Sequence, residues 1–192
     1  MNGATPVPGP TMIMGVAGSA SLVERRFARS GPNTVVAGQW PDRVIGAQDV
    51  VVLDFESLLA PYETGFARTV AVGDHPARLR LIHDLAVVAT AARDVFRADT
   101  AITGRALHTE VQAMAAKADR ALGAWHVGRL TSTAPATHAE TTRLEAFISP
   151  ENTRPLRRTV EEGWRAHWIL EIRLVDECMG HAAVHTELLD LV

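Results

Sequence analysis

The sequence predicts an α+β fold, and three features lead there: a pair of β-rich segments between residues 49 and 73, two helix-period segments between about 75 and 122, and two further β-rich segments near the C-terminus. DVVVLDFESLLA, from Asp49, is dominated by β-branched and apolar residues. After the break at Ala60 and Pro61, YETGFARTVAVG runs to Gly73, completing a strand pair. His75 and Pro76 then open a long helix, with Leu79, Ile82, Leu85, Ala86, Ala89, Ala92, Arg93 and Phe96 at three- and four-residue spacing and Asp74 as its expected cap. A second helix is expected from Thr103, its cap, to Leu122, with Ala106, Leu107, Val111 and Met114 on one face.

The remaining elements are shorter. AWHVGRL (124–130) reads as a strand, TSTAPATHAETTR as a polar loop, and ISPENTRPLRRTVEEGWRAH as a long connection. WILEIRLVD (168–176) alternates strictly, which puts Ile169, Glu171, Arg173 and Val175 on one face and Leu170, Ile172 and Leu174 on the other. AVHTELLDLV reads as the last strand. Residues 1 to about 20 are rich in Pro, Gly, Ala and Ser and read as a flexible arm ahead of a single domain over 21–192. The GVAGSA run (15–20) has the look of a phosphate loop, but no clear strand precedes it, so it reads as part of the arm.

Bulk properties exclude several function classes. With 192 residues, 47% of them hydrophobic, the chain can bury a core. A net charge of −3 gives no footprint for nucleic acid, and no segment approaches the ~18 apolar residues of a membrane span, so neither partner is expected. The start lacks a secretory pattern, which predicts a cytoplasmic protein. The single Cys178 supports neither a disulfide framework nor a cysteine metal cluster. Among 19 basic residues only Lys117 is lysine, so positive charge is carried by arginine, which stays ionised and can fork onto carboxylates.

The ordered set of segments resembles the pita-bread metallopeptidases, the family of methionine aminopeptidase, prolidase and creatinase. VVLDFE followed by FARTVAVG is similar to the family's first metal-binding hairpin, SGPNTVV (30–36) to the strand before its substrate-facing histidine, and GRL at Gly128 to its GHxxG segment. WILEIRL and HTELLDL are similar to the strands that bear its two glutamates. The resemblance covers roughly residues 30–192 and implies a curved, mostly antiparallel sheet with helices on its outer face. Complete members hold two metal ions with two Asp, one His and two Glu. Carried over by position, Asp54 matches the first Asp, Glu171 the first Glu and Glu187 the second. Gly65, eleven positions after Asp54, replaces the second Asp, and Arg129 replaces the histidine. The substrate-facing histidine falls at Ala37 and Gly38.

These departures predict a metal-independent protein that uses no cofactor. Asp54, Glu171 and Glu187 are expected to converge on one pocket, where Arg129 supplies the missing positive charge and takes the metal's place. His126 and His138 are the candidate acid or base groups; a regular strand would turn His126 away from the pocket. Trp125 could wall a substrate pocket together with Arg129, whereas Trp40, Trp164 and Trp168 read as core. Arg68 reads as a structural clamp and His167 as structural. His75, His83, His108, His181 and His185 read as surface or helix-end residues.

The expected function is small-molecule acid–base chemistry (cyclisation, isomerisation, elimination or hydrolysis) in a specialised biosynthetic pathway. Two alternatives stand beside it: a mononuclear metallohydrolase using Asp54, Glu171, Glu187 and His126 or His138, and a non-catalytic binding scaffold. The family's helices before the GPN segment have little counterpart here. The sheet face they cover would be exposed and apolar, and a homodimer is expected to bury it.

Overall fold

The computed structural model describes the chain apart from residues 1–10, 18–19, 36–40, 60–61, 132–143, 160–162, 164 and 191–192, and gives only backbone for 11–17, 20–27, 56–59 and 62–65. His138, Trp40, Trp164, Ala37 and Gly38 therefore lie outside the described residues.

Among the described residues, eight strands form one sheet in the order β1-β2-β3-β4-β8-β7-β5, with β6 also paired to β7. They are β1 Thr11–Ala17, β2 Ala20–Ser30, β3 Val50–Leu59, β4 Tyr62–Ala71, β5 Ala121–Leu122, β6 Gly128–Leu130, β7 Trp168–Asp176 and β8 His181–Leu188. Every pairing is antiparallel. The two helices are α1 Pro76–Ala98 and α2 Gly104–Lys117. None of the described helices is long and apolar enough to cross a membrane.

TMIMGVA forms β1, paired along its length with β2, and a ladder of backbone bonds joins β2 in turn to β3. The GPN segment is not a strand: Gly31–Thr34 is a 3-10 turn after β2, opened by Gly31 at φ 54°.

One face of β7 and β8 carries the core. Trp168, Leu170, Ile172 and Leu174 pack against Leu81, Leu85, Val88, Ala89, Ala92 and Phe96 of α1 and Leu107, Val111 and Ala115 of α2. Each fully buried large aliphatic side chain contributes roughly 1.5–3 kcal/mol. The α1 stripe is rotated from the expected one, with Leu79 exposed and Leu81 and Val88 inside. Its N-cap is His75, which makes no side-chain capping bond; Asp74 instead accepts from Gln48 Nε2 at 3.3 Å. Thr103 does cap α2, its hydroxyl accepting from the Ala106 amide at 3.1 Å. That helix ends at Lys117, short of Leu122, because Asp119 takes φ 58° and turns the chain into β5. Ala106 is exposed and His108 takes a buried place, contrary to a surface reading of that histidine.

The opposite face of the sheet is free of the helices and is where the candidate site lies.

Candidate functional site

Register fixes the site's floor. Asp54 pairs with Ala67, Ala67 with Thr186, and Thr186 with Glu171, so the two carboxylates end one row that crosses β3, β4, β8 and β7. Three strand spacings amount to ~14 Å on a flat sheet. The small Ala67 and Thr186 keep the floor between them low. The adjacent row ends in two arginines: Arg29 pairs with Val52, Val52 with Thr69, and Val184 with Arg173. The Thr69 hydroxyl joins the halves of that row, donating to the Val184 carbonyl at 2.8 Å and accepting from its amide at 2.7 Å.

Each carboxylate has a guanidinium. Arg29 Nη2 donates to Asp54 Oδ2 at 3.0 Å, and Arg129 Nε stands 3.7 Å from Glu171 Oε2. Burial pushes the Asp54 carboxyl above the usual carboxylate range, Arg29 opposes that, and the charge of Glu171 reinforces it. Burial lowers the pKa of Arg173, with Arg29 acting in the same direction and Glu171 and Asp54 against it.

His126 lies ahead of β6, which begins at Gly128, so the alternation of that strand does not decide where its side chain points. Burial keeps its imidazole below the ordinary histidine value; Glu171 favours the cation, while Arg129 and His108 disfavour it. Its Nδ1 is enclosed and has no hydrogen-bond partner among the described residues. Trp125, Phe147 and His126 form a three-ring cluster with centroids 4.8–4.9 Å apart, and Trp125 is exposed. Gly128 permits the close approach of β6: a Cβ there would meet the Ile169 carbonyl at 2.5 Å and Ile148 Cδ1 at 2.7 Å.

Glu187 does not join this group. It pairs with Leu170, a core residue, and so projects toward the helices, where Arg93 Nε donates to Oε1 at 3.0 Å. His185 is beside it, Nε2 lying 3.2 Å from Oε2 but off the line of a good hydrogen bond. The expectation that Glu187 converges with Asp54 and Glu171 is corrected, because a strand's side-chain period of two puts Thr186, not Glu187, opposite Glu171. His185 is buried between sheet and helix and not at the surface, and its pKa is lowered mainly by burial.

Other candidates fall out as structural. Arg68 donates to the Ala67 and Thr186 carbonyls at 2.8 and 2.7 Å and lies over the Phe66 ring, the geometry of a clamp between β4 and β8. Trp168 is fully buried, its indole donating to the Leu156 carbonyl at 2.8 Å, and His167 meets Asp190 at 2.5 Å. Arg29 and Arg173 are the residues that sequence reasoning missed. The alternation of WILEIRLVD already put Arg173 on the face of Glu171; nothing local to Arg29 pointed to Asp54.

The residues present do not fit a two-metal centre. No group of three or more His, Cys, Asp or Glu side chains suited to a metal ion occurs among the described residues. Gly65 has no side chain to ligate with, Thr186 stands where a second carboxylate would complete the row, and each remaining carboxylate already faces a guanidinium that repels a cation.

An antiparallel sheet with two helices on one face and a pair of facing carboxylates on the other is the frame of a pita-bread protein. The chain belongs to metallopeptidase family M24, whose family model matches residues 15–157. The match includes Asp54 and Arg129 and stops before Glu171. Among solved structures, the X-Pro aminopeptidase of Thermotoga maritima is similar at 16% identity and a TM-score of 0.63, with 87% of this chain and 47% of that one covered. The prolidase of Thermococcus sibiricus is similar at 18% identity and a TM-score of 0.60, with 85% and 41% covered. For the methionine aminopeptidase of Thermotoga maritima the figures are 15%, 0.59, 84% and 72%. At these identities the likeness is one of fold, and the chain spans less than half the length of the prolidase and the X-Pro aminopeptidase. Among curated proteins no sequence match is found.

Proposed function

We propose that this chain is a small-molecule enzyme on an M24 scaffold, working by metal-independent acid–base chemistry in a specialised biosynthetic pathway of the cytoplasm. The observation that carries the reading is the Arg129 guanidinium 3.7 Å from Glu171, with an imidazole held neutral by burial beside them. In this reading His126 is the base, because its lowered pKa leaves it unprotonated at neutral pH. Asp54, whose carboxyl burial holds toward the protonated form, is the matching acid. Arg129 orients the substrate or stabilises developing negative charge, and Trp125 with Phe147 forms an apolar wall. A base and an acid acting from opposite ends of a bound substrate serve cyclisation, isomerisation, elimination or hydrolysis.

A second copy of the chain is the proposed partner. Phe55, Phe66 and Val70 are 42%, 47% and 44% exposed on the helix-bearing side of β3 and β4, beyond the cover of α1, and a homodimer contact there would bury them.

The test is to incubate the protein with a small-molecule extract and follow every mass lost or gained, for wild type and for Glu171→Gln and Arg129→Met variants of intact fold. Conversion by wild type that both variants lose supports the reading. Equal conversion by Glu171→Gln removes it, and stoichiometric manganese, iron, cobalt or zinc in protein purified without added ions would replace it with a metallohydrolase.

A further inference from the structure

We propose that the site's substrate carries an oxyanion, a carboxylate or a phosphate, and that Arg173 is the residue that receives it. This rests on the reading of the same face as a small-molecule site, and it adds a substrate class and a binding residue that the family match, which ends at residue 157, does not reach.

The charges of the site face do not cancel among its described residues. Asp54 is engaged by Arg29 at 3.0 Å and Glu171 faces Arg129 at 3.7 Å. Arg173 is the third guanidinium. Among the described residues it makes no ion pair and one hydrogen bond, a long one of 3.4 Å from Nη1 to the Thr34 carbonyl. A guanidinium has five N–H donors in a planar fork. Most of that capacity is unspent in Arg173, on a group half withdrawn from water that feels the like charge of Arg29 and, against it, those of Glu171 and Asp54, neither of which it meets in an ion pair among the described residues. An oxyanion satisfies both the donors and the charge.

Arg173 is also held in place, which an incidental surface arginine is not. Its stem runs over the bare α-carbon of Gly123, where a Cβ would meet Arg173 Cδ at 2.6 Å and Cγ at 2.7 Å. The Gly123 amide donates to the Arg173 carbonyl at 2.9 Å. At the far end, the 3-10 turn that offers the Thr34 carbonyl is pinned to β8, the Thr34 hydroxyl accepting from the Ala182 amide at 2.8 Å. Stem and head are thus fixed from two separate elements. Along β7, Arg173 is two residues from Glu171, ~7 Å, so the anion would sit one short substrate's length from the proposed reacting groups.

The experiment measures binding of sodium succinate and of sodium phosphate to the whole chain by calorimetry and thermal shift, against sodium chloride at matched ionic strength. Wild type is expected to bind at least one of them well above the chloride control. Arg173→Gln is expected to lose at least tenfold in affinity, with Arg173→Lys intermediate, and Gly123→Ala to weaken binding by displacing the stem. Preference for succinate assigns a carboxylate, preference for phosphate a phosphate ester. The proposal is overturned if neither anion exceeds chloride, or if Arg173→Gln, folded by circular dichroism, binds as wild type does. Glu171→Gln separates the two readings: it should keep the anion while losing turnover. Anion binding through Arg173 with turnover indifferent to Glu171 would sink the acid–base reading alone.

Discussion

Glu171 and Glu187 stand on opposite faces of the β7–β8 ribbon: Glu171 pairs with Thr186 in Asp54's row, and Glu187 pairs with Leu170 and is bound by Arg93 of α1. One residue of register separates the carboxylate of the candidate site from a fastener between sheet and helix.

Glu187→Gln is therefore expected to act on stability and not on the site. Removing its charge weakens the Arg93 contact in a half-buried setting, at a cost of about 1 kcal/mol. Urea unfolding should show a lower midpoint with an unchanged slope, while succinate or phosphate binding stays at the wild-type level. Loss of anion binding with stability intact would contradict the placement.

Acid should destabilise the fold through its buried histidines. His108, His126 and His185 all have pKa values lowered from 6.5, chiefly by burial. The unfolded chain binds protons first, so their contribution is complete above pH 6.5 and is lost as pH falls through the folded values. Asp54 works the other way, its raised pKa giving stability below 3.8 that is lost as pH rises through the folded value. The urea midpoint of an Asp54→Asn background should fall from pH 7 to pH 5, and His126→Gln in that background should flatten the fall. A midpoint independent of pH in this window would refute the burial assignment.

Asn152 should prove a keystone of the segment that carries Phe147. Its buried side-chain amide donates to the Glu145 and Phe147 carbonyls at 3.1 and 2.7 Å and accepts from the Arg154 amide at 3.1 Å. Asn152→Ala strands three backbone groups, and a loss of about 3 kcal/mol is expected. Tryptophan emission should shift as well, because Trp125 rests on Phe147. An unshifted spectrum would separate this loop from the ring cluster.

Gly128→Ala should disengage β6 from β7, since the new Cβ meets a backbone carbonyl at 2.5 Å that cannot swing aside. The expected result is loss of the Arg129 to Glu171 contact and at least a tenfold fall in turnover, with the helices intact by circular dichroism. Retained turnover would show that Arg129 reaches Glu171 without the β6 pairing.

By itself the sequence determined the order of strands, two helices and strands from Asp49 onward, the α+β class and the faces of β7, because local propensity and side-chain period act within a few residues. The resemblance to the pita-bread metallopeptidases marked Asp54, Glu171 and Arg129. Tertiary structure decided the rest. The pairing of β1 depends on a partner strand, and the turn of Glu187 away from Glu171 depends on cross-strand register. The meeting of Arg29 with Asp54 joins residues 25 apart in the chain. Each of these is a relation between segments, carried by backbone ladders and burial that exist only once the sheet has formed.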